Sequence, residues 1–479
     1  MSLVLGVDSS TQSTKVEARD LETGAVIASG SAPHPAVQPP VSEQPPSAWW
    51  DALVDAVAQL GSHRADVVAI SVAGQQHGLV LIDDEGAVIR PAKLWNDTTS
   101  AEAAQRLVSD LGASVWAEAC GSVPVAAFTV SKVAWMAEHE PEALARTARI
   151  MLPHDYLTWR LTGDHVTDRG DASGTGWFDP AGGGYSARLL RAAGPELDLS
   201  QLPRVLDPGE TAGSLSPRAA QLLGLSADVV VGVGTGDNMG AALGLGLRPG
   251  DVVISLGTSG TVYAVSASPT SDPTGAVAGF ADAAGAFLPL VCTLNATRVT
   301  DSFARLMGAD RDGFAALALA ADPGEVGPTL LPYLDGERTP NLPEARGTLS
   351  GIANSTSREA LARAAHDGVL CGLLDGLDAL VACGVDVSGR RFLVGGGARS
   401  AAYRQRCADL AERPVIVPDA DETVATGAAV QAAAATDGGP LSEIASRWSC
   451  GVGSITEPSG SGDGPEVRAR YAEAVAELV

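Results

Sequence analysis

The sequence predicts an α/β protein of two domains built on one duplicated unit. Three observations carry that expectation. Residues 229–247 (VVVGVGTGDNMGAALGLGL) read as a buried strand, a glycine turn and an Ala/Leu/Gly helix, stopped by Pro249 and Gly250. Residues 3–18 and 252–265 each read as an apolar strand, a hydroxyl-rich turn and a second strand. Residues 392–400 repeat the strand, glycine turn and helix start of residues 229–238. Four turns in matched order point to a repeated unit rather than to coincidence. The expected division is 1–244 and 245–479.

Composition sets the outer limits. A chain of 479 residues exceeds one ordinary core, and 45% hydrophobic with 19% charged residues describes a globular protein. The formal net charge of −25 argues against nucleic acid or an anionic membrane as partner. The start MSLVLGVDSS has neither a basic n-region nor a long apolar stretch, so no signal peptide is expected. No apolar run approaches the ~18 residues of a membrane span. Six cysteines lie far apart without a C-x-x-C pair, which suits buried thiols in a reducing cytoplasm.

The middle stretch carries the sharpest chemistry. A strand that ends in a glycine turn and feeds a helix sets its last loop residues at the carboxyl edge of a sheet, where ligands bind in open α/β folds. Asp237 stands there, either as a catalytic carboxylate or as the N-cap of the helix that follows. In the first hairpin, Asp8 precedes the hydroxyls of Ser9, Ser10, Thr11, Ser13 and Thr14, and Lys15 follows. Hydroxyls and turn amides suit phosphate oxygens, a carboxylate suits Mg²⁺ through waters, and Lys15 can neutralise phosphate charge. An ordinary polar hairpin has the same composition, and no Walker A motif is present.

Further along, residues 32–46 are Pro-rich and a helix opens near Ser47, with Trp50, Leu53, Val54, Val57 and Leu60 on one face. The strand at 67–73 runs into Gly74, Gln75, Gln76, His77 and Gly78, a hydrogen-bonding cluster suited to a polyol. Trp95, beside Asn96 and Asp97, suits a sugar platform or a packed core position. Residues 162–179 are a loop rich in Gly, Asp and Thr, and residues 331–352 read as a surface or cleft-side loop. Helices are expected at 295–307 and 356–383, and a Gly/Ser-rich connector at 452–464 before a last polar helix. Gly257, Thr258 and Ser259 fall on the first hairpin's turn. Two such hairpins facing across a cleft would clasp a nucleotide's phosphates, and Gly395, Gly396 and Gly397 would let adenosine approach the backbone.

The motifs GVDSSTQSTK (6–15), GQQHG (74–78), LWND (94–97), DYLTWRLTG (155–163), GTGDN (234–238), SLGTSG (255–260), LPYLDGERTP (331–340) and VGGGARS (394–400) resemble those of the FGGY carbohydrate kinases. The resemblance spans nearly the whole chain and is nearest to the xylulokinase branch. Two positions depart from that pattern: Ser9 and Ser10 stand where many members have a Gly before the Thr, and Gln76 stands where xylulokinases often have Met. The resemblance implies the actin-like, ribonuclease-H-like ATPase fold with an active-site cleft between its domains. It implies ATP and Mg²⁺ as cofactors and D-xylulose as the sugar, with another ketose, a polyol, or a sugar-sensing ATPase that transfers nothing as alternatives.

On that resemblance Asp237 accepts the proton of the sugar hydroxyl, kept ionised by the helix N-terminus. Asp8 and Asp237 hold the metal. Gln76, His77, Trp95 and Asn238 hold the sugar. Thr11 and Lys15, with Gly257, Thr258 and Ser259, hold the phosphates, and Gly396, Gly397 and Ala398 face adenosine. The first domain would carry the sugar site, and the second the remaining phosphate and adenosine contacts. A homodimer is left open.

Overall fold

The computed structural model describes residues 1–322 and 327–478. Contacts divide the chain into two units: Met1–Leu247 with Ala267–Leu288 and Ala420–Gly451, and Arg248–Ser266 with Pro289–Asp419 and Val452–Val479. A single cut at 244/245 assigns 267–288 and 420–451 to the second domain; in the structure both segments pack with the first unit.

The first unit is built on a mixed sheet. Its strands are β1 (Leu3–Ser9), β2 (Ser13–Asp20), β3 (Val26–Pro33), β4 (Val67–Gly74), β5 (Thr211–Ser214), β6 (Val230–Gly232) and the short β7 (Thr235–Gly236). The order is β5-β6-β4-β1-β2-β3, and β7 pairs with β4 at Ala73 and Gly74. β1, β4, β6 and β7 run parallel, whereas β2, β3 and β5 are antiparallel to their neighbours. In β1 every residue is buried, because helices cover both faces of a central parallel strand. The helix Pro46–Ala58 packs Trp49, Leu53 and Val57 against this sheet. The helix Thr423–Asp437 covers β1 and β4.

The second unit repeats the pattern. Its strands are β8 (Val252–Leu256), β9 (Gly260–Ala264), β10 (Phe287–Thr293), β11 (Arg391–Val394), β12 (Val415–Pro418) and β13 (Gly453–Thr456), in the order β10-β9-β8-β11-β12-β13. Again the first three strands are antiparallel neighbours, the next two continue in parallel, and an antiparallel strand closes the edge. The pair Ser9↔Thr14 leaves residues 10–13 as the turn of the first hairpin, and the pair Leu256↔Gly260 leaves residues 257–259 as that of the second. The duplicated core expected from the glycine turns is therefore present.

Helices form at Thr297–Leu306 and Arg358–Ala382, the second capped by Ser357, whose hydroxyl accepts from the Ala360 amide. The connector at 452–464 differs from expectation: Gly453–Thr456 is the edge strand β13. An exposed edge tolerates Gly and Ser, which hides such a strand from a reading of hydrophobic pattern.

Glycine sets the spacing around the helix Thr423–Asp437. A Cβ on Gly427 would lie 1.9 Å from the Gly240 carbonyl oxygen, and one on Gly244 would lie 1.9 Å from that of Thr423. The helix Asp237–Gly244 thus lies backbone to backbone on its neighbour. Gly427→Ala is expected to lower stability by about 1–3 kcal/mol through overpacking. Gly439→Ala, where a Cβ meets nothing within 4 Å, is expected to stay within ~0.5 kcal/mol. Chemical denaturation of both variants checks the contrast.

Candidate active site

The first unit gathers its polar groups at the carboxyl ends of adjacent parallel strands. Asp8 lies near the end of β1, Gln75, Gln76 and His77 follow β4, and Asp237 follows β7. Between β6 and β7 the chain turns at Gly234, whose φ of +81° suits glycine. The Gln431 amide on the helix Thr423–Asp437 donates to the Gly234 carbonyl at 3.0 Å.

Asp237 is the first residue of its helix, and Gly236 occupies the N-cap position. Asp237 therefore does not occupy the N-cap position weighed as one alternative, and the helix start has no side-chain cap hydrogen bond. Asp237 Oδ1 accepts from the Asn238 amide at 2.8 Å and from Asn238 Nδ2 at 3.0 Å. Asn238 Nδ2 also donates to Gln76 Oε1 at 2.8 Å, so three of the expected site residues interlock. Gln76 is buried, and among the described residues its Nε2, like Gln75 Nε2, has no protein partner. A buried donor without an acceptor is costly unless a ligand supplies one. His77 adopts φ +66°, and its Nδ1 lies 2.8 Å from the Gly174 carbonyl. Its ring packs against Phe128 and Phe280 at centroid distances of 4.9 and 5.5 Å.

The helix end does not hold the half-buried Asp237 carboxyl low. Burial among protein atoms, with the charges of Asp8 and Asp171 adding to it, raises its carboxyl to about 7. Asp8 is buried, and burial raises it to about 6 although the Ser10 hydroxyl donates to its Oδ1. Both carboxyls thus meet neutral pH near their titration range, where a general base is most effective.

Other residues are less open than expected. Lys15 places Nζ 2.7 Å from both carboxylate oxygens of Glu422, so its charge is already matched. Thr11 Oγ1 donates to Gln75 Oε1 at 3.2 Å and accepts from the exposed Trp95 Nε1 at 2.9 Å, which links the hairpin turn to the sugar cluster.

In the second unit, Thr258 and Ser259 are exposed and Gly257 is half-buried. The Gly257 carbonyl accepts from the amide and hydroxyl of Thr297. Residues Gly396–Arg399 form a tight turn after β11, beside that hairpin. Gly396 is exposed with open space where a Cβ would be, whereas Gly397 packs on Leu256 and Thr297 and Ala398 is buried. Of the three residues expected to face adenosine, Gly396 alone presents open backbone. The loop at 331–352 is also less exposed than expected at one point: buried Glu337 accepts from the Leu294 amide and Asn295 Nδ2.

Sequence reading missed a buried group within the 162–179 loop and the preceding helix Pro153–Thr162. His154 Nδ1 lies 2.6 Å from Asp171 Oδ2, and its Nε2 lies 3.2 Å from Asp155 and 3.9 Å from Asp168. Burial alone would strip the imidazolium of its proton, but these carboxylates outweigh it and raise His154. The available signal was the density of Asp and Gly at 164–174, which turn chemistry alone also explains.

The comparisons fit this geometry. The model of the N-terminal domain of the FGGY family of carbohydrate kinases matches residues 3–244, and that of its C-terminal domain matches 252–436. The chain belongs to the FGGY family of carbohydrate kinases. It is 51% identical over 456 residues to a xylulose kinase of Streptomyces rubiginosus, covering 95% of this chain and 92% of that one. A xylulose kinase of Streptomyces coelicolor is 50% identical over the same shares. The crystal structure of xylulose kinase from Bifidobacterium adolescentis is similar at a TM-score of 0.86 and 41% identity, covering 99% of both chains. Among the described residues no helix is long and apolar enough to cross a membrane.

The raised carboxyl gives a pH test of the site. A carboxyl that titrates higher in the folded protein than in the unfolded chain favours folding below the unfolded value. That contribution is lost as pH rises from about 4 through about 7. Asp237→Asn lacks this loss. In metal-free buffer the melting temperature of the variant minus that of the parent is expected to rise between pH 5 and pH 8. A flat or falling difference in paired melting curves contradicts the assignment.

Proposed function

We propose that the protein transfers the γ-phosphoryl group of ATP to the C5 hydroxyl of D-xylulose, giving D-xylulose 5-phosphate and ADP. The observation that carries this reading is the interlocked Asp237, Asn238 and Gln76 group beside Asp8, at the carboxyl ends of adjacent strands. Likeness to xylulose kinases over nearly the whole chain supports the choice of sugar.

The residues divide the work by chemistry. Gln76 Nε2, a buried donor without a protein acceptor, suits a sugar hydroxyl. His77, Trp95 and Asn238 would complete the sugar contacts. Asp237 would orient the attacking hydroxyl and accept its proton as the new P–O bond forms and the bond to ADP breaks. Phosphoryl transfer passes through a loose transition state, so positioning and charge matter more than strength of the base. Thr11 and Lys15 in the first unit suit phosphate, with Lys15 exchanging Glu422 for it. The second unit's own hairpin turn at Gly257, Thr258 and Ser259 has amides and hydroxyls that suit phosphate, and Gly396 suits close approach of adenosine.

A divalent ion fits the donor set. The charge of Asp8 raises Asp237, which a cation would relieve, and Mg²⁺ commonly takes one or two carboxylates with waters and phosphates. Among the described residues no group of three or more His, Cys, Asp or Glu could form an all-protein metal cage. When bound, Mg²⁺ would neutralise phosphate charge.

ADP release measured over a panel of ketoses and polyols tests the sugar, with D-xylulose expected to give the highest kcat/KM. Asp237→Asn is expected to lower kcat by about 10²–10⁴-fold. A variant that turns over D-xylulose at the parent rate removes Asp237 from the chemistry. His77→Ala is expected to raise KM for the ketose and leave that for ATP nearly unchanged. Loss of ATP affinity with sugar discrimination intact would move His77 out of the sugar site.

A further inference from the structure

The buried cluster of His154, Asp155, Asp168 and Asp171 holds none of the groups assigned above to sugar, phosphate or metal, although the charge of Asp171 helps to raise Asp237. Ionisable groups this deep need hydrogen bonds and charge partners, and an apolar core of the same volume is often at least as stable. Their connections suggest what they do. Asp168 caps the helix Arg169–Ala172, its carboxylate accepting from the Gly170 and Asp171 amides.

Two arms leave the cluster. Asp168 Oδ2 accepts from Thr235 Oγ1 at 2.7 Å, and Thr235 stands two residues before Asp237. Under the same turn lies the His154 ring: a Cβ on Gly234 would come within 2.7 Å of His154 Cδ2, and one on Gly74 within 3.0 Å of His154 Cβ. The second arm runs through the short helix to Gly174, whose amide donates to the Asp171 carbonyl and whose own carbonyl meets His77 Nδ1. One buried group therefore contacts both the turn that bears Asp237 and the backbone that holds His77.

We propose that Asp168 and Thr235 are positioning residues, fixing the 234–237 turn so that Asp237 meets the sugar hydroxyl, with His154 and Asp171 holding the same frame behind His77. The inference rests on the kinase reading above. Thr235 is wholly buried, so its hydroxyl acts only through the turn. A displacement of about 1 Å in a reacting group can cost on the order of 100-fold in rate.

Thr235→Val keeps the shape of the side chain and removes the hydroxyl; Thr235→Ser keeps the hydroxyl. Steady-state kinetics on the full chain, with D-xylulose and ATP, are expected to show Thr235→Val losing about 10–100-fold in kcat. KM for ATP should stay within about twofold, and Thr235→Ser within about threefold of the parent in kcat. Adding Thr235→Val to Asp237→Asn is expected to lower kcat by less than about twofold further, because the hydroxyl acts through that carboxylate. A Thr235→Val protein with the parent's kcat per folded molecule, whatever its melting temperature, overturns the inference. So does a full additive loss in the double variant, or a Thr235→Ser protein as slow as Thr235→Val. Should Thr235→Val not accumulate folded, Thr235→Ala takes its place in the same cycle with the same outcomes. Failure of the kinase reading shows separately, as a parent protein that releases no ADP with any sugar, and takes this inference with it.

Discussion

The first unit depends on a close backbone contact made by the helix Thr423–Asp437. Gly244 and Gly427 bring the helix Asp237–Gly244 against it at a spacing no side chain permits, and Gly6 does the same for β1, where a Cβ would lie 1.9 Å from the Ala425 carbonyl. Such contacts leave no room for relaxation, so the helix sets the depth at which Asp237 begins. Gln431 fastens the turn before it, donating to the Gly234 carbonyl while accepting from Ser71 Oγ on β4 at 3.2 Å. The platform under the site is thus completed by a segment that arrives after residue 419. Closing so long a loop is slow relative to local contacts.

Electrostatics at the site follows from that depth. A helix N-terminus contributes typically 0.3–1 kcal/mol to a nearby anion and at most about 2, which is roughly one and a half pKa units. Burial opposes it, and Asp8 and Asp171 add like charge. The larger effect wins, and Asp237 is raised rather than lowered. The helix-end argument weighed the only local charge visible in the chain. Asp8 and Asp171 lie 229 and 66 positions away in sequence, and nothing in the glycine turn announces them.

Much of the architecture was legible because turn chemistry is local. The hairpins at β1–β2 and β8–β9 and the turns at Gly234 and Gly395 each need particular residues within a few positions, and their matched order exposed the duplication. The division of the chain was not, because membership of 267–288 and 420–451 is decided by packing across hundreds of residues. Within the site, Asp237, Asn238, Gln76 and His77 could be found because each follows an apolar strand. His154 could not: it sits inside a helix beside Tyr156 and Leu157, and its meaning comes from Asp171, 17 residues on. Lys15 shows what local reading leaves out. Its place after a hydroxyl-rich turn suggested a phosphate ligand, but its Glu422 partner lies 407 residues away.

That pairing bears on how an anion can enter the first hairpin. Glu17 is bound to Arg19, which also donates to Thr426 and the Gly24 carbonyl, so Arg19 carries little unmatched charge. Lys15 is matched by Glu422; Asp8 accepts from the Ser10 hydroxyl and feels the charge of Lys15, opposed by those of Glu422 and Glu17. Counted this way, the surroundings of Asp8 are negative, and a phosphate chain approaching alone would meet repulsion that Lys15 can offset only by leaving Glu422 unpaired. A divalent cation held by Asp8 would offset that negative charge, and would lower the cost of a charged Asp237. The raised carboxyls of Asp8 and Asp237 are thus the feature of this chain that supports the divalent ion proposed above.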